Sequence, residues 1–196
     1  MDYITDIINL VFPYDGIYEV ILGTNGEKPN LAPIGIIKSG NVLKSKIYRN
    51  TITFSNLLKF PKCSINIVSD SNLFFNAFFD ELKPNTFLED LPIINQGYTL
   101  LANCYYEKLD DPSYFFYKIY FYRKNSDIYP AFNRGNSMLI DLLVHFSRLD
   151  IYTKEDLEKY LPIIKYEIEI IRKTMPNSFK NVEKLIDLLT QKGLKI

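Results

Sequence analysis

The chain has 196 residues, 47% hydrophobic and 23% charged, which fits one large domain or a domain with a small appendage and excludes wholesale disorder. Lys plus Arg and Asp plus Glu both number 23, so the basic excess of a dedicated nucleic-acid binder is missing and no nucleic-acid partner is expected. A single histidine, His145, rules out multi-histidine metal centres, and no metal is expected. Cys63 and Cys104 show no C-x-x-C spacing and read as two reduced thiols in strands. The first residues carry acids where a secretory signal needs positive charge, and no apolar run approaches the ~18 residues of a membrane span. A soluble, cytoplasmic protein with no membrane partner is expected.

In chain order, Gly16 to Leu22 reads as a strand ending at Asn25-Gly26, a hairpin signal because both residue types tolerate positive φ. Leu31 to Lys38 is the return strand, closed by Ser39-Gly40, and Val42 to Tyr48 is the third. Residues 53–60 fit a short helix stopped by Pro61, followed by a strand from Ser64 to Val68. Phe74, Phe75, Phe78 and Phe79 recur at helical spacing and predict a second short helix over 71–80 with an aromatic core face.

Two long strands are predicted at about 97–108 and 114–123. In the second, Phe115, Tyr117, Ile119 and Phe121 fall on one face; Tyr114, Phe116, Tyr120 and Tyr122 fall on the other. After Asn133-Arg134-Gly135 the period becomes helical. Leu139, Leu142, Leu143, Phe146 and Leu149 trace one stripe, and Thr153 with Asp156 predicts a capping box opening a helix to about 173. Pro162 should kink or split that helix. Asn177 or Ser178 would cap a last helix that Gly193 ends. The expected fold is mainly β with α: a small antiparallel barrel over 1–130, then a three-helix subdomain over 131–196.

Two segments carry candidate chemistry. Tyr48-Arg49-Asn50-Thr51-Ile52-Thr53 sits where a strand hands over to a helix, and an arginine and two hydroxyls beside unpaired helix N–H groups suit a phosphate. The alternative is that Asn50 or Thr51 merely caps the helix and Arg49 is a solvated charge. Asn30-Leu31-Ala32-Pro33-Ile34-Gly35 opens a strand with small residues and a proline, which lets a flat ring approach an interrupted strand edge. Arg134, between asparagines at a helix start, is a second phosphate candidate or part of a capping loop. His145, with Asp141 four residues before it and Arg148 three after, is either an oriented base or a helix histidine in a local ion pair. No nucleophile elbow or P-loop is present, and catalytic residues stay unassigned.

Asn30-x-Ala32-Pro33, then Arg49-Asn50-Thr51 with Asn56, then Ile65-Asn66, resembles the order of motifs in flavin reductase-like FMN-binding split barrels. It is similar in particular to the archaeal family called domain of unknown function 447, including Phe132-Asn133-Arg134 and His145-Phe146-Ser147-Arg148. The resemblance implies a split β-barrel and a homodimer with FMN as cofactor in a groove near the subunit interface. It assigns Asn30, Ala32, Pro33, Ile34 and Gly35 to the isoalloxazine. Tyr48, Arg49, Asn50, Thr51 and Thr53 fall to the phosphate end, and Asn66 beneath the ring or ribityl chain. A flavin-dependent oxidoreductase is the activity this implies; the alternative is a dimeric small-ligand-binding module without catalysis.

Overall fold

The computed structural model describes residues 3–126 and 130–191. Segments Met1–Pro13 and Tyr18–Phe132 form one compact unit, and Tyr14–Ile17 with Asn133–Ile196 form a second.

The first unit opens with a helix the strand-dominated reading lacked, α1 (Tyr3–Val11). Its Ile4, Ile7, Ile8 and Val11 recur at helical spacing, so one stripe packs into the core while Asp6 and Asn9 lie outside it. Eight strands follow: β1 (Gly16–Thr24), β2 (Asn30–Ser39), β3 (Val42–Ile47), β4 (Lys62–Ile67), the two-residue pair β5 (Phe87–Leu88) and β6 (Leu91–Pro92), β7 (Tyr98–Tyr106) and β8 (Ser113–Lys124). Helices α2 (Ile52–Lys59) and α3 (Ser71–Phe78) flank β4 in sequence. Six strands close a barrel in the order β1-β2-β3-β8-β7-β4. Val20, Leu22, Ile36, Ile47, Ile65, Leu100 and Phe115 fill it.

Three expectations for this unit need correcting. Gly26 is not a positive-φ turn residue; a Cβ there would lie 2.8 Å from the Asn56 carbonyl oxygen, so close approach to α2 demands the glycine. Phe121 does not share the core face. Leu101 pairs with Phe121 but Ala102 pairs with Ile119, so Tyr120 is an extra residue that reverses the alternation. Phe121 is thereby exposed and Tyr122 packs against the core. On α3 only Leu73, Phe74 and Ala77 face inward; Phe75, Phe78 and Phe79 are exposed and pack on one another.

The second unit holds α4 (Arg134–Arg148), α5 (Lys154–Thr174), a 3-10 turn (Pro176–Ser178) and α6 (Phe179–Gln191). Leu142, Leu149, Ile164, Ile168, Ile171, Val182 and Leu189 form its core, while Leu143 is exposed. The capping box forms: Thr153 Oγ1 accepts from Asp156 N–H at 3.1 Å and Asp156 Oδ2 accepts from Thr153 N–H at 3.0 Å. Pro162 does not split α5. It lies on the exposed side, where the carbonyl that loses its N–H partner can bond to water. The predicted end at Gly193 lies outside the described residues. The architecture is an antiparallel split β-barrel followed by a C-terminal helical part.

Candidate functional site

The β2–β3 ladder covers only Ile37–Ser39 against Val42–Lys44. Pro33 cannot donate to a ladder. From Ala32 to Gly35 the strand loses its alternation, and all four residues are half-buried. A cavity of about 540 Å³ opens there, walled by Asn30–Gly35 of β2, by Lys46–Tyr48 at the end of β3 and by Thr51–Thr53 at the start of α2. Ala77, Phe78 and Asp80 complete it.

Thr51 is the N-cap of α2: its Oγ1 accepts from Phe54 N–H at 3.2 Å and donates to the Tyr48 carbonyl at 2.7 Å. This fixes the turn that presents Tyr48, Thr51 and Thr53 to the cavity. Asn30 Nδ2 donates to Thr53 Oγ1 at 3.2 Å, joining the strand wall to the helix wall. Asn56 locks the same corner from behind. Its side chain accepts from Glu27 N–H at 2.8 Å and donates to Lys28 O at 2.8 Å and to Thr24 Oγ1 at 3.1 Å. Asn56 is thus a staple between α2 and the β1–β2 loop.

Of the residues singled out from sequence, Asn30, Ala32, Pro33, Ile34, Gly35, Tyr48, Thr51 and Thr53 line one cavity. Arg49, Asn50, Asn66 and Arg134 are not in its wall. Arg49 is turned to the β7–β8 loop, donating to Leu109 O at 2.6 Å and Asp110 O at 3.2 Å. Asn66 is fully buried and its bonds are internal: it donates to Ile21 O and Ser64 Oγ and accepts from Ile94 N–H and Thr99 Oγ1, all at 3.0–3.1 Å. Arg134 begins α4 in the helical unit, where Asn133 caps Gly135 N–H at 2.8 Å and donates to Thr174 O at 2.7 Å. Sequence reasoning missed Lys46, Ala77, Phe78 and Asp80. For Lys46 the one available signal was its position two residues before Tyr48.

His145 meets neither Asp141 nor the cavity. Its Nδ1 lies 2.9 Å from Tyr152 Oη and its Nε2 3.6 Å from Glu167 Oε1 of α5. Burial, with Asp141 adding like charge, pushes the Glu167 carboxyl up to about 7. Among the described residues no cluster of three or more metal-ligating side chains exists, and no helix is long and apolar enough to cross a membrane.

A small antiparallel barrel with a cavity at an interrupted strand edge, followed by a helical unit, defines a split-barrel protein. The chain belongs to the DUF447 family. The family model described as "Protein of unknown function (DUF447) N-terminal domain" matches residues 18–126, and that described as "Protein of unknown function (DUF447)" matches 133–187. Among solved structures, an FMN-bound DUF447 protein from Methanosarcina mazei is 25% identical, with a TM-score of 0.57, over 92% of this chain and 98% of that one. Weaker likenesses include an FMN-binding protein from Thermus thermophilus (16% identity, TM-score 0.46, 57% of this chain and 73% of that one). An NADH:FAD oxidoreductase from Streptomyces globisporus is another (9% identity, TM-score 0.46, 56% and 74%). No curated protein matches the chain.

Proposed function

We propose that this chain binds FMN in the cavity between β2, the end of β3 and the start of α2. The observation that carries the reading is that Asn30–Gly35 and the Tyr48–Thr53 turn, distant in sequence, wall one cavity. The 25%-identical FMN-bound relative, matched along nearly its whole length, supports it. The residues fit the group. A cavity of about 540 Å³ lies within the roughly 300–1,000 Å³ of ordinary ligand sites. Ala32, Pro33 and Gly35 leave the β2 backbone open to a flat heterocycle. The first N–H groups of α2 suit a phosphate, on a turn that the Thr51 hydroxyl holds by donating to Tyr48 O. Lys46, its ammonium 5.7 Å over the Tyr114 ring, brings a positive charge to the same wall.

The titratable side chains of the wall are Lys46, Tyr48 and Asp80. Bound FMN would supply the redox chemistry, and the chain's part in an oxidoreductase of this kind is to hold and orient. Thr51 fixes the phosphate-facing turn through its bond to Tyr48 O, and Asn30 sets the spacing of the two walls through Thr53. Arg49 would join the phosphate only by leaving the Leu109 and Asp110 carbonyls.

The reading includes a homodimer. Tyr105, Tyr106, Tyr114 and Phe121 stand exposed on the β7–β8 ribbon, with Tyr105 stacked on Phe116 at 5.3 Å. Neighbouring aromatics of this kind suit a self-complementary interface. Sedimentation equilibrium should give twice 22.9 kDa. A monomer mass would remove the dimer and leave the cavity reading intact.

The deciding experiment titrates wild type, Lys46→Ala and Thr51→Ala with FMN and with riboflavin. Wild type should bind both. Each substitution should weaken FMN by ~1.5–3 kcal/mol, the range of a charge-assisted hydrogen bond, and leave riboflavin nearly unchanged. Equal losses for the two flavins would move the phosphate elsewhere. A colourless protein that ignores both would overturn the proposal.

A further inference from the structure

The chain's two cysteines lie 41 positions apart, yet the fold brings their sulfurs to 3.3 Å. Cys63 of β4 pairs across the sheet with Ala102 of β7, and Cys104 N–H donates to Pro61 O at 2.9 Å. The two thiols therefore sit on one diagonal of a paired ribbon, directed at each other inside the barrel. Cys63 is fully buried and Cys104 is 7% exposed, near the end of its strand and followed by exposed Tyr105. Beside them the Tyr117 and Ser45 hydroxyls bond to each other. No third metal-ligating side chain joins the thiols among the described residues, so a metal pair is not the reading.

We infer that Cys63 and Cys104 form a latent disulfide site, at which a low-molecular-weight disulfide oxidises the pair and covalently joins β4 to β7. A disulfide needs a sulfur separation of about 2.05 Å, so the thiols, now 3.3 Å apart, must close by roughly 1.2 Å. Cys104 Sγ, the less buried sulfur, gives up its proton and attacks one sulfur of the external disulfide. A mixed disulfide forms and one external thiol leaves. Cys63 Sγ, losing its proton, then attacks Cys104 Sγ and displaces the second external thiol. Two protein thiols and one external disulfide become one protein disulfide and two external thiols, with two electrons transferred and protons balanced. Burial raises the Cys63 thiol well above its ordinary range, so it is almost wholly protonated near neutrality and the second step is the slow one. The bond closes a loop that holds α3 and the β5–β6 pair, and so restrains the segment that brings Ala77, Phe78 and Asp80 to the cavity.

The test incubates the full chain with hydroxyethyl disulfide, denatures it, and blocks free thiols with a maleimide before intact-mass measurement. The expected product is monomeric by covalent mass, lighter by two hydrogens and unlabelled. Reduction should restore two labels. Oxidation should raise Tm by roughly 5–15 °C, as expected for closing a loop of this length. Cys104→Ser and, separately, Cys63→Ala should show no such rise, which keeps the test usable if either variant folds poorly. Two labels after exhaustive oxidation, a persistent mixed disulfide on one cysteine, or the same Tm rise in a single-cysteine variant would each overturn the inference.

Discussion

The buried amides of the barrel and the buried carboxyl between the helices of the second unit are handled in different ways. In the barrel, Asn56 and Asn66 are neutral, and their amide N–H₂ and carbonyl groups bond to backbone and hydroxyl groups of other segments. In the helical unit, Glu167 is buried against His145, and its Oε2 has no hydrogen-bond partner. The difference follows from what each architecture offers. A barrel has loops and strand ends whose backbone groups a buried amide can satisfy, and helix ends offer the same to Asn133, which bonds Thr174 O and Gly135 N–H. Mid-helix, at Glu167, the backbone groups are used internally and the helices face each other with side chains alone. The barrel should therefore be insensitive to pH near neutrality, and the helical unit should not.

The sharpest way to break the barrel's side of this contrast is Asn66→Ala. It removes the side-chain partner of the Ile21 carbonyl, the Ile94 N–H and the Thr99 hydroxyl proton inside a closed barrel, leaving Thr99 Oγ1 only its bond from Asn125. A loss of about 3–5 kcal/mol is expected in urea unfolding, since each orphaned buried group costs on the order of 1–3 kcal/mol. Asn66 lies outside the cavity wall, so whatever folds should still bind flavin. Lys38→Met comes next. The Lys38 ammonium is buried and donates to Asn9 Oδ1 at 2.9 Å and to the Phe12 carbonyl at 2.6 Å, just past the C-terminal end of α1. Its removal should cost about 2–3 kcal/mol and expose α1 to hydrogen exchange before the rest of the barrel.

On the helical side the prediction is a pH dependence. The Glu167 carboxyl is raised from an ordinary 4.5 to about 7 in the folded state, chiefly by burial and secondly by Asp141. A raised pKa means the folded chain holds a proton that the unfolded chain releases. The stability this group contributes is fully present below 4.5 and is lost as pH rises through about 7. Between those values unfolding should become easier, with a slope of at most about 1.4 kcal/mol per pH unit for one proton. Glu167→Gln should flatten that slope while leaving His145 and Tyr152 in place. Urea midpoints of both proteins across pH 5 to 8 check it; a wild-type slope that persists in the variant would assign the proton elsewhere.

How much of this was legible in the sequence depends on the range of the interaction. The capping box, the Gly40 turn and the small-residue run at Ala32–Gly35 are local, and each stands where its residues point. The Ile4, Ile7, Ile8, Val11 stripe of α1 was equally local and readable. The extra residue at Tyr120 has no local mark, because a bulge is a property of two strands together. Arg49 could not be assigned either: the carbonyls it bonds lie sixty residues further on, in a loop that only the closed barrel brings near. Lys46 and the Phe78–Asp80 turn reach the cavity from two separate stretches of chain, and only Lys46, two residues before Tyr48, stands near a residue that signals it. The resemblance places Asn66 beneath the flavin ring or ribityl chain; in the fold its side chain bonds to the Ile21 and Ile94 backbone and to the Ser64 and Thr99 hydroxyls, a set of partners that only the closed barrel brings together.

The smallest effect concerns the helix start at Thr153, whose capping box is readable from sequence alone. Thr153 and Asp156 satisfy each other's backbone N–H groups, and the bonds from Thr153 hold the Asp156 carboxyl below its ordinary range. Thr153 is exposed and Asp156 half-buried, so Thr153→Ala should cost only about 1 kcal/mol at neutral pH. Asp156→Asn keeps a side-chain acceptor but removes the charge that favours a helix N-terminus, so it should cost less than Thr153→Ala. Because the box lies in the helical unit, thermal unfolding should shift without any change in flavin titration of the barrel cavity. A single unfolding transition followed by helical signal and by flavin release alike, shifted equally by Thr153→Ala, would show that the two units unfold as one, and that the contrast in their buried polar groups does not separate their stabilities.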